Sequence, residues 1–310
     1  MSPGEEPVLN LKARHNQVRS LTFSPDATVL VASDPGGLFV FRGLPSPVRS
    51  ERTGNQAVFI PVSRRVLVVD NPGALWDPAT GSEEVVSFGP GYCPRATATP
   101  DGRFVLFTRI LEARGQRRAL VFARDAHDIA RAIPCWSNSL DRAVLGGPLV
   151  TPDSPRCIVA EEGKDSGQGE VEGYGLREYA VETGRLLRSW RPRHPRFGRW
   201  ALSPDGRRLV VAQSGRLRVF ALEEPEEEVA VVKNKGWKGA PGIAFHPSGR
   251  WLAAWHNGPT VKLFDADGWK LVSTYNWGIG RIQSVAFSAD GLLGAAGGHK
   301  GGIVVWDFDT

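Results

Sequence analysis

The stretch LSPDGRRLVVA at 202–212 combines a tight corner with an apolar run. Proline in the second position of the corner presets its backbone φ for a turn, and aspartate in the third tolerates the bridge region of backbone conformation. Glycine in the fourth supplies a left-handed residue that closes a hairpin with a bulge. The stretch therefore predicts a hairpin whose second strand is the run RLVVA at 208–212.

Near-copies of this corner recur along the chain, at intervals of 36, 39, 52, 52, 43 and 42 residues. Self-similarity at about 40–45 residues is typical of the four-stranded blades of a β-propeller. The intervals therefore predict seven blades. The six further copies are FSPD 23–26, FIPV 59–62, ATPD 98–101, VTPD 150–153, FHPS 245–248 and FSAD 287–290.

Each repeat reads as strands because short apolar runs alternate with turn residues. The sixth repeat shows four of them: GIAF 242–245, WLAAW 251–255, VKLF 261–264 and KLVSTY 270–275. The stretch 124–133 could form one short turn of helix. The sequence thus predicts an all-β fold, a seven-bladed β-propeller of four-stranded antiparallel blades.

The last repeat leaves no room for a fourth strand after its Trp-Asp pair at 306–307. The segment PVLNLKARHNQV at 7–18 lies ahead of the first corner and alternates weakly, so we expect it to pair beside the strand at 303–308. The N-terminal strand would then complete the last blade and leave no open edge between the first and last blades. Residues 1–310 would form a single domain.

The repeats resemble WD40 repeats across essentially the whole chain. His15 stands eight residues before Phe23, as in that family's pattern, and His194 repeats the spacing in the fifth repeat. The family's name-giving Trp-Asp pair occurs at 306–307 and again at 76–77. The resemblance implies a rigid propeller that serves as a platform for protein or peptide binding.

The repeats also depart from the WD40 pattern. The family's Gly-His pair is absent, and Phe41, Phe220 and Phe264 stand where its Trp is expected. The family's Asp–His–Ser–Trp hydrogen-bond network is therefore mostly missing, and we expect aromatic and aliphatic packing to replace it. Corners of the SPDG type also occur in TolB-like and lactonase-like propellers, so the subfamily stays open.

Composition excludes several classes of protein. No run approaches the roughly 18 apolar residues of a membrane span, and the opening MSPGEEPVL lacks the apolar core of a secretory signal. The three cysteines lie far apart without a Cys-x-x-Cys spacing. We therefore expect a cytoplasmic, monomeric protein with no membrane segment, no metal and no cofactor. The net charge of +5 permits an acidic partner.

The resemblance also implies two faces. The corners between strands two and three, and those between strand four and the next blade, share one face, which we call the upper face. The SPDG corners between strands one and two, and the turns between strands three and four, share the lower face. The acidic segment EEPEEE 223–228 lies on the lower face. The segments 188–200 and 233–239 combine cations with tryptophan on the upper face, as interface hot spots do. The predicted partner-binding residues are Arg191, Arg193, Arg196, Arg199, Lys233, Lys235, Trp237, Lys238, Trp277 and Arg281.

From this basic-aromatic face we expect a non-catalytic WD40-like scaffold that binds a protein or peptide partner, with acidic segments favoured and nucleic acid not expected. The chain lacks His-x-His, His-Glu-x-x-His, Gly-x-Ser-x-Gly and phosphate-cradling motifs. His256 and His299 fall in equivalent corners of the sixth and seventh repeats and could approach each other. The alternative is a propeller hydrolase or lyase that acts on a small molecule at the axial opening.

Overall fold

A computed structural model gives the three-dimensional arrangement of most of the chain. The described residues form 28 strands and no helix, so none of them belongs to an apolar helix long enough to cross a membrane. The structure describes residues 7–12, 17–34, 37–42, 47–50, 56–61, 63–69, 73–88, 92–113, 116–129, 136–140, 147–152, 156–162, 174–190, 199–213, 215–233, 237 and 242–308.

The strands follow one another as hairpins along the chain. In chain order they are β1 Pro7–Lys12, β2 Ser20–Phe23, β3 Val29–Asp34, β4 Gly37–Arg42, β5 Pro47–Ser50, β6 Gln56–Phe59, β7 Val66–Val69, β8 Gly73–Trp76, β9 Glu83–Val86, β10 Tyr92–Ala98, β11 Phe104–Ala113, β12 Gln116–Asp125, β13 Trp136–Leu140, β14 Leu149–Val150, β15 Arg156–Glu162, β16 Tyr174–Ala180, β17 Leu186–Trp190, β18 Arg199–Leu202, β19 Arg208–Gln213, β20 Arg216–Ala221, β21 Glu228–Lys233, β22 Gly242–Phe245, β23 Trp251–Trp255, β24 Val261–Asp265, β25 Leu271–Tyr275, β26 Ile282–Phe287, β27 Leu293–Gly298 and β28 Gly302–Asp307.

These strands build seven antiparallel sheets of four strands each. Blades 1 to 6 are β2–β5, β6–β9, β10–β13, β14–β17, β18–β21 and β22–β25, and blade 7 is β26, β27, β28 and β1. The first strand of each blade contacts the first strand of the next, from β26 through β2, β6, β10, β14, β18 and β22 back to β26. The fold is therefore a seven-bladed β-propeller, as the repeat spacing predicted. The predicted helical turn is not formed in its described part: β12 extends to Asp125 and a turn follows it to Ile129, while 130–133 lie outside the described residues.

Blade 7 is closed by the beginning of the chain. Strand β1 pairs antiparallel with β28, with Leu9 opposite Val305 and Leu11 opposite Ile303. The side chain of Leu11 is buried in the cluster that also holds Ile303 and, from blade 1, Phe41. The expected closure by the N-terminal strand is confirmed.

Seven buried clusters hold the ring together, one at each interface between neighbouring blades. Between blades 4 and 5, for example, Trp190 and Trp200 pack with Phe220. The blades thus bury both of their faces against each other, and this is the aromatic and aliphatic packing that the missing WD40 network led us to expect.

The repeated corner is stabilised by a side-chain hydrogen-bond network. In blade 5 the hydroxyl of Ser203 donates to Asp205 and accepts the Arg208 N–H at 2.8 Å, while Asp205 accepts the Arg207 N–H at 3.0 Å. Gly206 completes the corner with a φ of +70°. The same network recurs with Ser24 and Asp26, Thr99 and Asp101, and Ser288 and Asp290.

The hydroxyl in the first position therefore stabilises these corners in addition to the proline and glycine on which the sequence argument was based. At Asp26 the bond from Ser24, followed by those from Thr28, lowers the pKa of the carboxyl group to about 2. At Asp290 the bond from Ser288 likewise lowers the pKa. The carboxylates of these corners stay ionised and keep accepting hydrogen bonds down to acidic pH.

A second set of polar contacts joins neighbouring blades. Each contact is a side-chain N–H that donates to a backbone carbonyl of the adjacent blade, and sequence reasoning did not find them because the donor and acceptor lie in different repeats. They run from Arg124 to Ser87 at 2.6 Å, from Arg188 to Leu222 at 2.8 Å, from Arg208 to Ala266 at 2.6 Å and from His246 to Gly291 at 2.8 Å.

The corner of blade 1 contains a strained residue that offers a test of the turn chemistry. Ala27 occupies the position of Gly206 with a φ of +57°, where a Cβ is unfavourable. We expect Ala27→Gly to raise the free energy of unfolding by about 0.5–1 kcal/mol, because the strain exceeds the entropy cost of glycine. Urea denaturation measures the change. As a matched control, Gly206→Ala should lower stability by a similar amount or more, and the same sign for both variants would contradict the assignment.

His246 gives the fold a pH dependence. Its Nδ1 accepts the Ser248 N–H at 3.2 Å, so Nε2 carries the proton donated to Gly291, and the ring is neutral. Burial lowers the pKa of His246 below its usual 6.5. The unfolded chain therefore binds a proton first as the pH falls, and the stability contributed by the neutral ring is complete above about pH 6.5 and lost below it.

We expect the free energy of unfolding of the wild type to fall more between pH 7.5 and pH 5.5 than that of His246→Ser, which restores the hydroxyl of the other corners. Chemical denaturation at the two pH values, with circular dichroism as the readout, measures the difference. The other histidines are present in both proteins and cancel in the comparison. Equal losses in the two proteins would show that His246 is not the titrating group.

Candidate partner-binding surface

The structure describes half of the ten residues predicted to bind a partner. Arg199 begins β18 and is exposed, Lys233 ends β21 and is exposed, and Arg281 is exposed just before β26. Trp237 and Trp277 lie in the corners that lead into blades 6 and 7. Outside the described residues lie Arg191, Arg193, Arg196, Lys235 and Lys238.

Trp237 is a packing residue between blades 5 and 6. Its side chain is only 8% exposed and belongs to the buried cluster of that interface. The indole meets Phe264 edge-on, with ring centroids 6.1 Å apart, and the ammonium group of Lys262 lies 5.8 Å from the ring centroid. It therefore offers a partner little surface, although its sequence context among three lysines is typical of an interface hot spot.

Trp277 stands in the upper corner between blades 6 and 7 and is half-buried. Its ring stacks on Tyr275 and on Trp306, with centroid distances of 5.4 and 4.6 Å and interplanar angles of 10° and 23°. This three-ring stack fixes the orientation of the indole. The exposed part of Trp277 is thus a rigid apolar feature of the upper face.

Arg281 connects three upper corners. Its backbone N–H donates to Nδ1 of His299 at 2.8 Å, and its carbonyl accepts the His299 N–H at 2.8 Å. Its guanidinium donates to the side-chain oxygen of Asn257 at 3.3 Å. Gly280 makes this approach possible, because a Cβ there would lie 2.6 Å from the His299 ring. The corners of blades 6 and 7 are therefore fixed relative to each other.

The hydrogen bond between Arg281 and His299 also concerns His256 and His299, the two histidines that fall in equivalent corners of the sixth and seventh repeats. The Nδ1 atom of His299 is occupied by the Arg281 N–H, which leaves only Nε2 for a ligand. Among the described residues no group of three or more His, Cys, Asp or Glu side chains could hold a metal ion. The alternative of a hydrolase or lyase that acts on a small molecule at the axial opening stays a prediction.

Some cations of the lower face are paired with carboxylates, whereas Arg64, Arg185 and Arg207 of that face have no ion pair within the described residues. On the lower face Arg65 pairs with Glu84, and Arg103 pairs with Glu182 at 2.9 Å. The upper corners of blades 6 and 7, at 256–260, 276–281 and 299–301, contain Arg281 and Lys300 but no Asp or Glu. Within the described part of the chain, Lys233, Arg281 and Lys300 have no carboxylate partner. These three exposed cations form what we call the upper cation cluster.

Comparison with known sequences gives no match: neither a protein-family model nor a curated protein corresponds to this chain. The fold itself defines the class, a seven-bladed β-propeller with its loops on two faces.

A stability measurement separates packing from binding at the two tryptophans. Trp237→Ala should lower the free energy of unfolding by about 3–5 kcal/mol, because it empties a buried interface between blades. Trp277→Ala removes a half-buried ring and should lower the free energy of unfolding by a smaller amount. Thermal and urea unfolding of both variants decides the order. A Trp237→Ala protein as stable as the wild type would show that the indole is a surface residue after all.

Proposed function

We propose that the protein is a non-catalytic, WD40-like scaffold whose upper face binds an acidic segment of a protein or peptide partner. The observation that carries this proposal is the upper cation cluster, Lys233, Arg281 and Lys300, which lies in corners without a compensating carboxylate in the described part of the chain. Placement among WD40 proteins belongs to the same proposal and is supported by the His15-to-Phe23 spacing and the Trp-Asp pairs. The proposal also includes a monomeric state and a cytoplasmic location.

The strands supply rigidity, and the corners supply the contacts. The inner strands of each blade are buried against neighbouring blades, so on the upper face the side chains that remain free to meet a partner are those of the corners. Arg281 is already oriented by Asn257 and by the backbone of His299, so it would lose little conformational freedom on binding. Trp277 would add an apolar contact beside it.

Opposite charges would act mainly on the rate of encounter and on the choice of partner. Exposed pairs are screened by salt over about 8 Å at physiological ionic strength. The affinity for an acidic segment should therefore fall as salt is added, whereas an apolar contact at Trp277 would be nearly insensitive to it.

The test replaces the upper cation cluster by glutamine: Lys233→Gln, Arg281→Gln and Lys300→Gln together. Fluorescence anisotropy with a fluorescein-labelled peptide of glutamate, aspartate, serine and glycine should show affinity reduced about tenfold, equivalent to roughly 1.4 kcal/mol over three exposed charges. The same variant should lose proteins that the wild type captures from a cell lysate.

A matched control removes three exposed cations from the lower face, with Arg64→Gln, Arg185→Gln and Arg207→Gln. It changes the net charge by the same amount and should leave peptide affinity and the captured proteins nearly unchanged. An equal loss in both triple variants would mean that only the net charge matters, and no loss in the upper variant would overturn the proposal.

A further inference from the structure

The innermost strands bring one residue of every blade into a ring around the central channel. In each repeat this residue lies four positions before the first residue of the lower corner, in the innermost strand or, for Gly147, just before it. Around the ring the residues are Ser20, Gln56, Arg95, Gly147, Arg199, Gly242 and Ser284. We call this set the channel ring.

Two members of the channel ring show where its side chains point. Gln56 of blade 2 donates to the carbonyl of Ala96 in blade 3 at 3.1 Å and accepts the Ala96 N–H at 3.0 Å. Ser284 of blade 7 accepts the N–H of Leu21 in blade 1 at 3.1 Å. Side chains of the ring therefore reach along the channel wall to the next blade.

Arg95 of blade 3 likewise points toward the next blade. A Cβ placed on Gly147 would lie 3.1 Å from Cβ and 3.5 Å from Cγ of Arg95, so the arginine stem lies directly over the glycine. The next member of the ring is Arg199 of blade 5. Although part of the Arg199 side chain is exposed, its guanidinium is partly desolvated, and this desolvation, followed by the charge of Arg95, lowers its pKa. Together with the position of the Arg95 stem over Gly147, this places the two arginines on either side of blade 4 and within electrostatic reach of each other.

No charge compensates these two arginines along the innermost strands. The seven strands contain no Asp or Glu, and their charged residues are Arg95 and Arg199. Within the described part of the chain neither guanidinium has a carboxylate partner. Two neighbouring like charges are unfavourable in a partly enclosed space unless an anion lies between them.

We propose that Arg95 and Arg199 form an oxyanion site at the upper mouth of the central channel, and that its ligand is a phosphomonoester group. Each guanidinium offers five N–H donors in a planar fork, and forks from two sides offer more donors than one carboxylate accepts. A phosphate dianion, with three terminal oxygens, matches both the donor number and the charge. The site is separate from the upper cation cluster and does not depend on the proposed function.

Isothermal titration calorimetry with inorganic phosphate tests the site directly. The wild type should bind phosphate, and Arg95→Gln, Arg199→Gln and the double variant should each bind at least about tenfold more weakly. Arg199→Lys should recover part of the binding, because it restores charge without the fork. The control Arg185→Gln with Arg207→Gln removes two lower-face charges and should bind phosphate as the wild type does.

Binding of phosphate that is equal in the wild type and the double variant would overturn the proposal, as would the absence of binding in a folded wild type. Circular dichroism confirms that each variant is folded. Arg199→Gln serves as the second variant if Arg95→Gln fails to fold, since Arg199 is exposed at the beginning of its strand.

A peptide pair identifies the source of the phosphate group. One synthetic peptide carries phosphoserine and the other serine in the same acidic sequence. If the site takes a phosphorylated side chain, the phosphoserine peptide binds the wild type more tightly than the serine peptide does. In the double variant Arg95→Gln, Arg199→Gln the two peptides should then bind with equal affinity. If free phosphate binds but the peptides do not differ, the ligand is a small phosphate ester. Loss of peptide binding in the upper-cluster variant, with phosphate binding intact, would separate the two proposals.

Discussion

The pairing of β1 with β28 places the first and last strands of the chain in one blade, and the closed ring depends on it. Without β1, blade 7 would present β28 as an open outer edge, and the cluster that contains Leu11, Phe41 and Ile303 would lose a wall. Closure also determines the geometry of the channel, because the innermost strands contact one another in an unbroken circle from β26 to β22. Equivalent residues of different repeats therefore meet along one wall.

Within this ring the hydrogen bonds are of two kinds. The corners are held locally, by hydroxyl and carboxylate side chains such as Ser203 and Asp205 that bond to backbone a few residues away. The interfaces are held by donors that reach another blade, such as Arg188 and His246. Together with apolar clusters at all seven interfaces, they take the place of the Asp–His–Ser–Trp network that the sequence largely lacks. A propeller can thus keep its geometry while the residues that hold it change.

Packing occupies the inner strands, so the proposed binding functions use the corners and the mouth of the channel. The upper corners of blades 6 and 7 carry cations without carboxylates, whereas on the lower face two of the arginines, Arg65 and Arg103, are paired with carboxylates. The mouth of the channel adds Arg95 and Arg199, at equivalent positions of two blades. Both features combine a rigid scaffold with uncompensated positive charge, which favours an anionic partner or ligand.

The sequence by itself determined the strands, the number of blades and the closure, because corner chemistry and apolar alternation act over a few residues and repeat at a regular interval. It also placed Arg281 and Lys233 on one face. Only the tertiary structure decided which of those residues stay exposed: Trp237 is buried between two blades, although its neighbours in sequence are polar. The position of the Arg95 stem over Gly147 of the next blade was likewise decided by the closed ring, since it depends on contacts between blades that local sequence does not encode.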